Sequence, residues 1–372
     1  MRLLYFTDNN SDHNRRFLDK LAVSGHEVFY LSLAGAPNPS YWLPRGIHLV
    51  QSESTFPRHS SPSQVESFLP ELKAILESIK PDLVQAGPIQ TCAYLTSLAN
   101  FHPMLAMSWG SDILLDSQRG EEWYQATETA LTGADGFFCD CDTVLRCARE
   151  IVPIASDRVV QFPWGLHPGI FSPSGEKAQL PFRDHEFVFI CTRSWEELYG
   201  IDVVLRAFEI ASKQASHLRL LLIGHGSLEA EVLSFVEEHD LEDRVLIPGS
   251  VSGADMPRYF RSADAYISCA RSDGTSISLL EAMATGLPII VAENASNREW
   301  VAEGENGWLC KIGSVEEFAA TMLLAAEQDA ASRARMSTRN QHVVAERANW
   351  DKNFPQLLNA YENILSSTRA SR

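Results

Sequence analysis

Apolar residues along this chain follow two alternating rhythms. Short runs of apolar, largely β-branched and aromatic residues read as buried strands, and between them lie segments whose apolar positions recur every three to four residues, as on one face of a helix. The strand-like runs of the first half are LLYFTD (3–8), HEVFYLSL (26–33), IHLVQ (47–51), PDLVQAG (81–87), PMLAMSW (103–109), GFFCD (136–140) and RVVQFPWG (158–165). Those of the second half are FVFICTR (187–193), LRLLLIGHG (218–226), RVLIPGSV (244–251), AYISCA (265–270) and PIIVAE (288–293). Such alternation predicts an α/β chain with two doubly wound, parallel-sheet domains, over residues 1–168 and 169–349. The Pro- and Gly-rich FPWGLHPGIFSPSG (162–175) is the expected connection between them. A last helix, 350–368, carries apolar Phe354, Leu357, Leu358, Tyr361, Ile364 and Leu365, a stripe that wants a partner surface.

In open parallel sheets ligands bind beyond the C-terminal strand ends, where helix N-termini present free N–H groups and a dipole that favours anions. The loops TDNNSDH, SWGSD, TRSWEELYG, GHGS and ARSDGTS stand at such ends and are polar or glycine-bearing. One of them opens SDGTSISLLEAMATGLP (272–288), which reads as a buried helix from Ser276, its N-cap, to Thr285, with Gly286 past the end and Pro288 enforcing the stop. Asp273 lies before this helix and Glu281 inside it, among Leu279, Leu280, Ala282 and Met283. A carboxylate so placed needs partners, and from this stretch alone a core salt bridge and a ligand contact are equally good readings. Gly274, Thr275 and Ser276 put N–H groups and two hydroxyls where they can meet a phosphate or sugar oxygen, or simply make an ordinary capped loop. Arg193, after FVFICT, and Arg271 are candidates to neutralise a diphosphate.

Composition narrows the classes. The 372 residues are 45% hydrophobic and 21% charged, which suits two packed domains, and no apolar run approaches the roughly 18 residues of a membrane span. MRLLYFTDNN lacks a signal-peptide core, so the protein is expected in the cytoplasm, with the inner face of the membrane an open alternative. Net charge is −17, and residues 1–168 alone carry twelve basic against nineteen acidic side chains, which argues against a nucleic-acid partner. Peripheral membrane contact would need a local basic patch. The seven cysteines form no C-x-x-C pair and read as reduced and buried.

Other motifs carry little. GHG (224–226) lacks the third glycine of a dinucleotide fingerprint. DCD (140–142) mimics a metal-binding D-x-D, but Asp142 stands where a helix begins and reads better as an N-cap. The eleven histidines show no ligand spacing, so no metal is expected.

DGTSISLLEAMATGLPIIVA, with TRSWEELYGIDVVLRAF before it and NREWVAEGENGWL after, resembles the donor half of family 4 retaining glycosyltransferases with the GT-B fold. HNRRFLDKLAVSGHEVFYLS, SWGSDIL and FPWGLHPGIF extend the likeness through the first half. The resemblance implies a first domain that receives the acceptor and takes back the C-terminal helix, and a second that binds a nucleoside-diphosphate sugar. The partners it implies are that donor and a glycan, lipid-linked or small-molecule acceptor, with no other cofactor. It assigns Glu281 to the donor ribose, Asp273 to the transferred sugar, Gly274, Thr275 and Ser276 to sugar hydroxyls and diphosphate, and Arg193 to phosphate. Catalytic work would fall to Asp273 and Arg193, with Asp112 on the first domain; His13, Arg15, Arg16 and Trp109 would lie on the acceptor side, as would the polar stretch 35–64.

Three departures stand out. Asp273 replaces a more usual Glu, Tyr199 occupies the place of a phosphate-binding Lys, and Trp109 stands where many relatives have His. In a retaining transfer the departing diphosphate oxygen can itself take the acceptor's proton, so the missing His removes no indispensable base. A nucleotide-sugar epimerase or hydrolase and a non-catalytic nucleotide-sugar-binding homologue are the alternatives. Capping or surface solvation remains the plain reading of Asp112, His13, Arg15 and Arg16.

Overall fold

The computed structural model describes residues 1–38, 42–183 and 185–370; residues 39–41, within the expected acceptor stretch 35–64, lie outside the described residues. The chain divides into two compact units, Met1–Phe162 with the helix from Phe354 onward, and Pro163–Asn353, so the division falls at Pro163 inside the Pro- and Gly-rich connection.

The first unit is built on β1 (Arg2–Thr7), β2 (Glu27–Ser32), β3 (Ile47–Leu49), β4 (Leu83–Ala86), β5 (Met104–Met107), β6 (Gly136–Cys139) and β7 (Val159–Gln161). They form one parallel sheet in the order β3-β2-β1-β4-β5-β6-β7. Leu3, Leu4, Tyr5 and Phe6 of β1 are all fully buried, because helices cover both faces and the strand has no solvent side. The second unit carries β8 (Phe187–Cys191), β9 (Leu218–Leu222), β10 (Val245–Leu246), β11 (Ala265–Ser268), β12 (Ile289–Ala292) and β13 (Gly307–Cys310), parallel in the order β10-β9-β8-β11-β12-β13. Strand β13, GWLC, is not among the sequence-predicted runs. A Cβ at Gly307 would lie 2.4 Å from the Ile289 carbonyl oxygen, so glycine opens this strand to let its backbone approach β12.

In both sheets the order reverses beside the first strand, between β1 and β4 and between β8 and β11. These are the topological switch points, where crossover helices diverge and leave a crevice beyond the strand ends.

The helix Trp350–Ala370 belongs to the first unit from Phe354 onward, so the C-terminal segment returns there as the resemblance implies. Leu357 and Tyr361 are fully buried, the Tyr361 hydroxyl donates to Gln85 Oε1 on β4, and the Phe354 ring lies 6.3 Å from Phe17. A Cβ at Gly136 would sit 2.6 Å from Ile364 Cδ1, so the bare glycine in β6 makes room for the helix. One expectation changes at the Asp142–Ile151 helix. Its N-cap is Cys141, in extended conformation, and Asp142 is the first helical residue, accepting a 2.6 Å bond from Gln161 Nε2; the chain leaves β6 one residue early. All seven cysteines are free, and six are buried. Among the described residues no helix is long and apolar enough to cross a membrane.

Because Leu357 has no exposed surface, Leu357→Ala should destabilise the protein by about 2–5 kcal/mol, while Glu362→Ala on the exposed side of the same helix should stay within about 0.5 kcal/mol. Denaturant unfolding measures both. Equal effects would show that the helix does not belong to the core of the first unit.

Candidate active site

Beyond the end of β8 the chain turns through Thr192 and Arg193, and beyond the neighbouring β11 it runs through Ala270 to Ser276 into the helix Ile277–Thr285. The two loops interlock. Gly200, at φ +64, has no room for a Cβ, which would lie 2.3 Å from the Cys269 carbonyl oxygen, and the Arg271 N–H donates to the Leu198 carbonyl at 2.9 Å. Two side chains brace the second loop from behind. Ser296 Oγ donates to the Asp273 carbonyl at 2.7 Å, and Asn294 Nδ2 to that of Ala270 at 3.2 Å.

Arg193 enters this corner almost wholly buried, at 9% exposure. Its Nη2 lies 2.7 Å from Asp273 Oδ2, and its Nη1 donates to Ser276 Oγ at 2.5 Å and to Ser278 Oγ at 3.3 Å. The guanidinium carbon sits 4.1 Å from the centre of the Tyr199 ring, a cation–π contact where the resemblance puts a lysine. Ser276 Oγ, the expected N-cap, also accepts from the Leu279 N–H, and Gly286 ends the helix at φ +81. Burial raises the Asp273 carboxyl above its ordinary range; Arg193, the Gly274 N–H and the Ser276 hydroxyl pull it back part of the way. Burial works against the Arg193 charge in turn, but the Asp273 carboxylate, with smaller help from Tyr266, Tyr199 and Cys191, more than offsets it and holds the guanidinium protonated. Arg193 Nε is buried with no hydrogen-bond partner.

Glu281 is half-buried, and its position on the helix matters more than its burial. Ile277, Ser278, Glu281 and Ala284 are the less buried residues of Ile277–Thr285 and make one stripe, so Glu281 is the next neighbour of Ser278 along the face that reaches Arg193, about 4.5 Å further along the axis. The structure thus brings together Arg193, Tyr199, Asp273 and Ser276, with Gly274 and Thr275 buried in the same loop and Glu281 one turn on. Arg271 is turned aside: its Nε donates to the Glu197 carbonyl at 3.3 Å and its Nη2 lies 3.7 Å from Asp202. Ser278 and Tyr266 are participants that the sequence did not single out; the Tyr266 hydroxyl lies 2.8 Å from Ser278 Oγ. The S-x-S spacing at the helix start was the available signal.

The GHG glycines also find a role. A Cβ at Gly224 would lie 2.5 Å from the Arg193 carbonyl oxygen and one at Gly226 2.4 Å from that of Trp195. The Trp195 N–H donates to the His225 carbonyl at 3.0 Å, so these glycines let the loop after β9 close onto the Arg193 loop.

In the first unit, the Asp112 carboxylate is 1% exposed and accepts from Ser108 Oγ (2.6 Å), the Ile113 N–H (2.9 Å), and the Trp109 and Ile89 N–H groups (3.1 Å each). It ties the loop after β5 to the loop after β4, which is a positioning role. Burial pushes its carboxyl up to about 6. His13, Arg15 and Arg16 lie on the helix Asp12–Leu21. The His13 ring is 6.3 Å from Trp109, and Arg15 pairs with Asp19 at 2.9 Å and donates to the Trp42 carbonyl. Between them stands Asn14, which the sequence does not single out: fully buried, it accepts from Tyr5 Oη at 2.8 Å and donates to Thr7 Oγ1 at 3.0 Å and to the Asn9 carbonyl at 2.8 Å, fixing the loop after β1. Nothing in the polar run NNSDHN marks it out.

Comparison with known proteins converges on one family. Residues 2–141 match the model "Glycosyl transferase 4-like" and residues 175–343 the model "Glycosyl transferases group 1". The chain is 31% identical over 185 residues to the amylovoran biosynthesis glycosyltransferase AmsK of Erwinia amylovora, a match that covers 45% of this chain and 46% of that one. It therefore spans about half the length of the curated relative. In fold it is similar to sucrose-phosphate synthase from Thermosynechococcus elongatus (TM-score 0.83, 18% identity, 99% of this chain and 100% of that one). It is likewise similar to Anabaena HepE, solved in complex with UDP-glucose (TM-score 0.75, 15% identity, 100% of each chain).

Two outcomes are expected of these contacts. A double-mutant cycle of Tyr199→Leu with Arg193→Met should give a coupling of about 1–2 kcal/mol in unfolding free energy, because the cation–π pair is largely desolvated; no coupling would remove Tyr199 from the site. Asp112→Asn places an amide N–H₂ against N–H donors and should cost about 1–3 kcal/mol. Because the folded carboxyl is raised to about 6 from 3.8, ionising it disfavours the fold, so wild-type stability relative to Asp112→Asn should fall as pH climbs from about 4 to about 6 and level off above. A difference that is flat with pH would contradict the burial argument.

Proposed function

Since the chain belongs to the glycosyltransferases that join a glycosyl transferase 4-like first domain to a group 1 second domain, we propose that it moves a sugar, with retention at the anomeric carbon, from a nucleoside diphosphate to the hydroxyl of a glycan or glycolipid. The observation that carries this reading is the Arg193 corner: a buried guanidinium, loop N–H groups at a helix N-terminus and, one turn along the same helix face, the carboxylate of Glu281. An anion site and a hydroxyl acceptor at that spacing suit a diphosphate and its adjoining ribose.

In the step proposed, the bond from the anomeric carbon to the diphosphate oxygen breaks and its electron pair stays on the diphosphate. The acceptor oxygen bonds to that carbon on the same face, and its proton passes to the departing diphosphate oxygen. The chain's task is to hold the reactants and to meet the growing charge with groups already in place, Arg193 and the N–H groups of Gly274 to Ser276. Asp273 binds the transferred sugar, and Asp112 acts through the loops it ties. His13, Arg15, Arg16 and Trp109 lie where the acceptor is received. The name of the Erwinia relative supports a glycan acceptor, and the UDP-glucose held by HepE supports a nucleotide-sugar donor.

Purified protein with a panel of UDP-, GDP- and ADP-sugars should show a raised melting temperature with at least one donor, lost in Glu281→Ala. A panel without any shift would contradict the reading. Donor consumed without an acceptor would instead mark a hydrolase or epimerase, and a donor bound but never turned over a non-catalytic homologue.

A further inference from the structure

The cradle at the start of the helix Ile277–Thr285 already holds an anion, and that anion is part of the chain. The Asp273 carboxylate lies 2.7 Å from Arg193 Nη2, in the loop that leads through Gly274 to Ser276 at the helix start, where a phosphate oxygen would be received. The side chain keeps 21% of its exposure, so it is reachable, while Arg193 beneath it keeps 10% and is boxed in by Tyr199 and the two serines. The cation is fixed and its partner is at the mouth. Two further observations point to an incoming ligand. Arg193 Nε is buried without a partner, so the guanidinium has donor capacity that Asp273 does not use. The Asp273 backbone is pinned by Ser296, which leaves only its short side chain able to move.

Building on the reading of this corner as a donor site, we propose that Asp273 is an internal stand-in for the donor's diphosphate, and that binding is an exchange of anions: phosphate oxygens take over Arg193 and meet the helix N-terminus beside it, and the displaced carboxylate turns outward to the sugar hydroxyls. A buried guanidinium left without a counter-ion is strongly unfavourable, so the stand-in keeps the unliganded cradle formed. The same pairing lowers affinity, because each diphosphate must first displace it. Asp rather than Glu at 273 fits this role: the carboxylate stays close to its own backbone and to the helix N-terminus that follows. Tyr199 fits it too, since an aromatic face holds the guanidinium in place through the exchange without adding a second cation that would keep Asp273 bound.

The test is titration calorimetry of wild type, Asp273→Asn and Asp273→Glu with UDP, GDP, ADP and inorganic pyrophosphate, alongside a crystal structure of the wild type with pyrophosphate. Asp273→Asn, which keeps a polar side chain but no competing charge, should bind the diphosphates at least about tenfold more tightly than wild type, while Asp273→Glu stays close to wild type. In the pyrophosphate complex Asp273 Oδ2 should lie beyond about 4 Å from Arg193 Nη2, the ion-pair limit. Unchanged or weaker binding by folded Asp273→Asn overturns the exchange, as does a pyrophosphate complex that retains the 2.7 Å pair. If Asp273→Asn does not fold, the wild-type complex decides alone. Tighter pyrophosphate binding without any preference for nucleoside diphosphates would uphold the exchange and refute the nucleotide-sugar reading. Turnover of a nucleotide sugar by wild type with no tightening in Asp273→Asn would do the reverse.

Discussion

A guanidinium taken out of water must find its counter-charge nearby, and the second domain is arranged around that requirement at Arg193. The side chain leaves the end of β8 and meets Asp273 from the end of β11, so the ion pair exists only because the sheet places those strands side by side. The neighbouring choices follow from it. Gly200 is bare where the two loops touch, Ser276 serves as both helix cap and arginine acceptor, and Ser296 and Asn294 fix the backbone that presents Asp273. Even the glycines of GHG serve it by letting the loop after β9 close over the Arg193 backbone.

The first domain has the same topology and reverses its strand order at the same place, yet treats its buried carboxylate differently. Asp112 is satisfied by neutral donors, three N–H groups from its own loop and the next and one hydroxyl, and no opposite charge faces it among those contacts. Burial therefore wins and its carboxyl is pushed up to about 6. Asn14 does comparable work for the loop after β1 without charge. One switch point is thus tied down by neutral hydrogen bonds, the other by an ion pair.

Much of this is legible in the amino-acid sequence. Strands buried on both faces leave continuous apolar runs, so nearly every strand showed, and Ser276 and Gly286 marked the ends of the key helix by their own chemistry. GWLC did not show, because its first residue is a glycine whose reason lies across the sheet at Ile289. Among the site residues, Arg193, Asp273 and Glu281 were legible as a group through the family resemblance, but the pairing of the first two was not: residues 80 apart meet only through the β8–β11 register. Arg271 looked equivalent to Arg193 from its place after a strand, and the structure turns it to Glu197 and Asp202. Asp142 looked like a cap and is displaced by Cys141 because the chain leaves β6 a residue early. In each case the missing information is which backbone neighbour a loop residue faces, and no local pattern carries it.

The proposed function puts a diphosphate at the Arg193 corner and its nucleoside along the Ser278–Glu281 face of the following helix, and a crystal structure of the protein with whichever nucleoside-diphosphate sugar it binds tests both at once. It should place the phosphate nearer the sugar within hydrogen-bond distance of the Arg193 guanidinium and the N–H groups of Gly274 to Ser276, with the ribose hydroxyls on Glu281. A nucleotide seated elsewhere, with the ribose away from Glu281 and no phosphate oxygen on Arg193, would contradict the account.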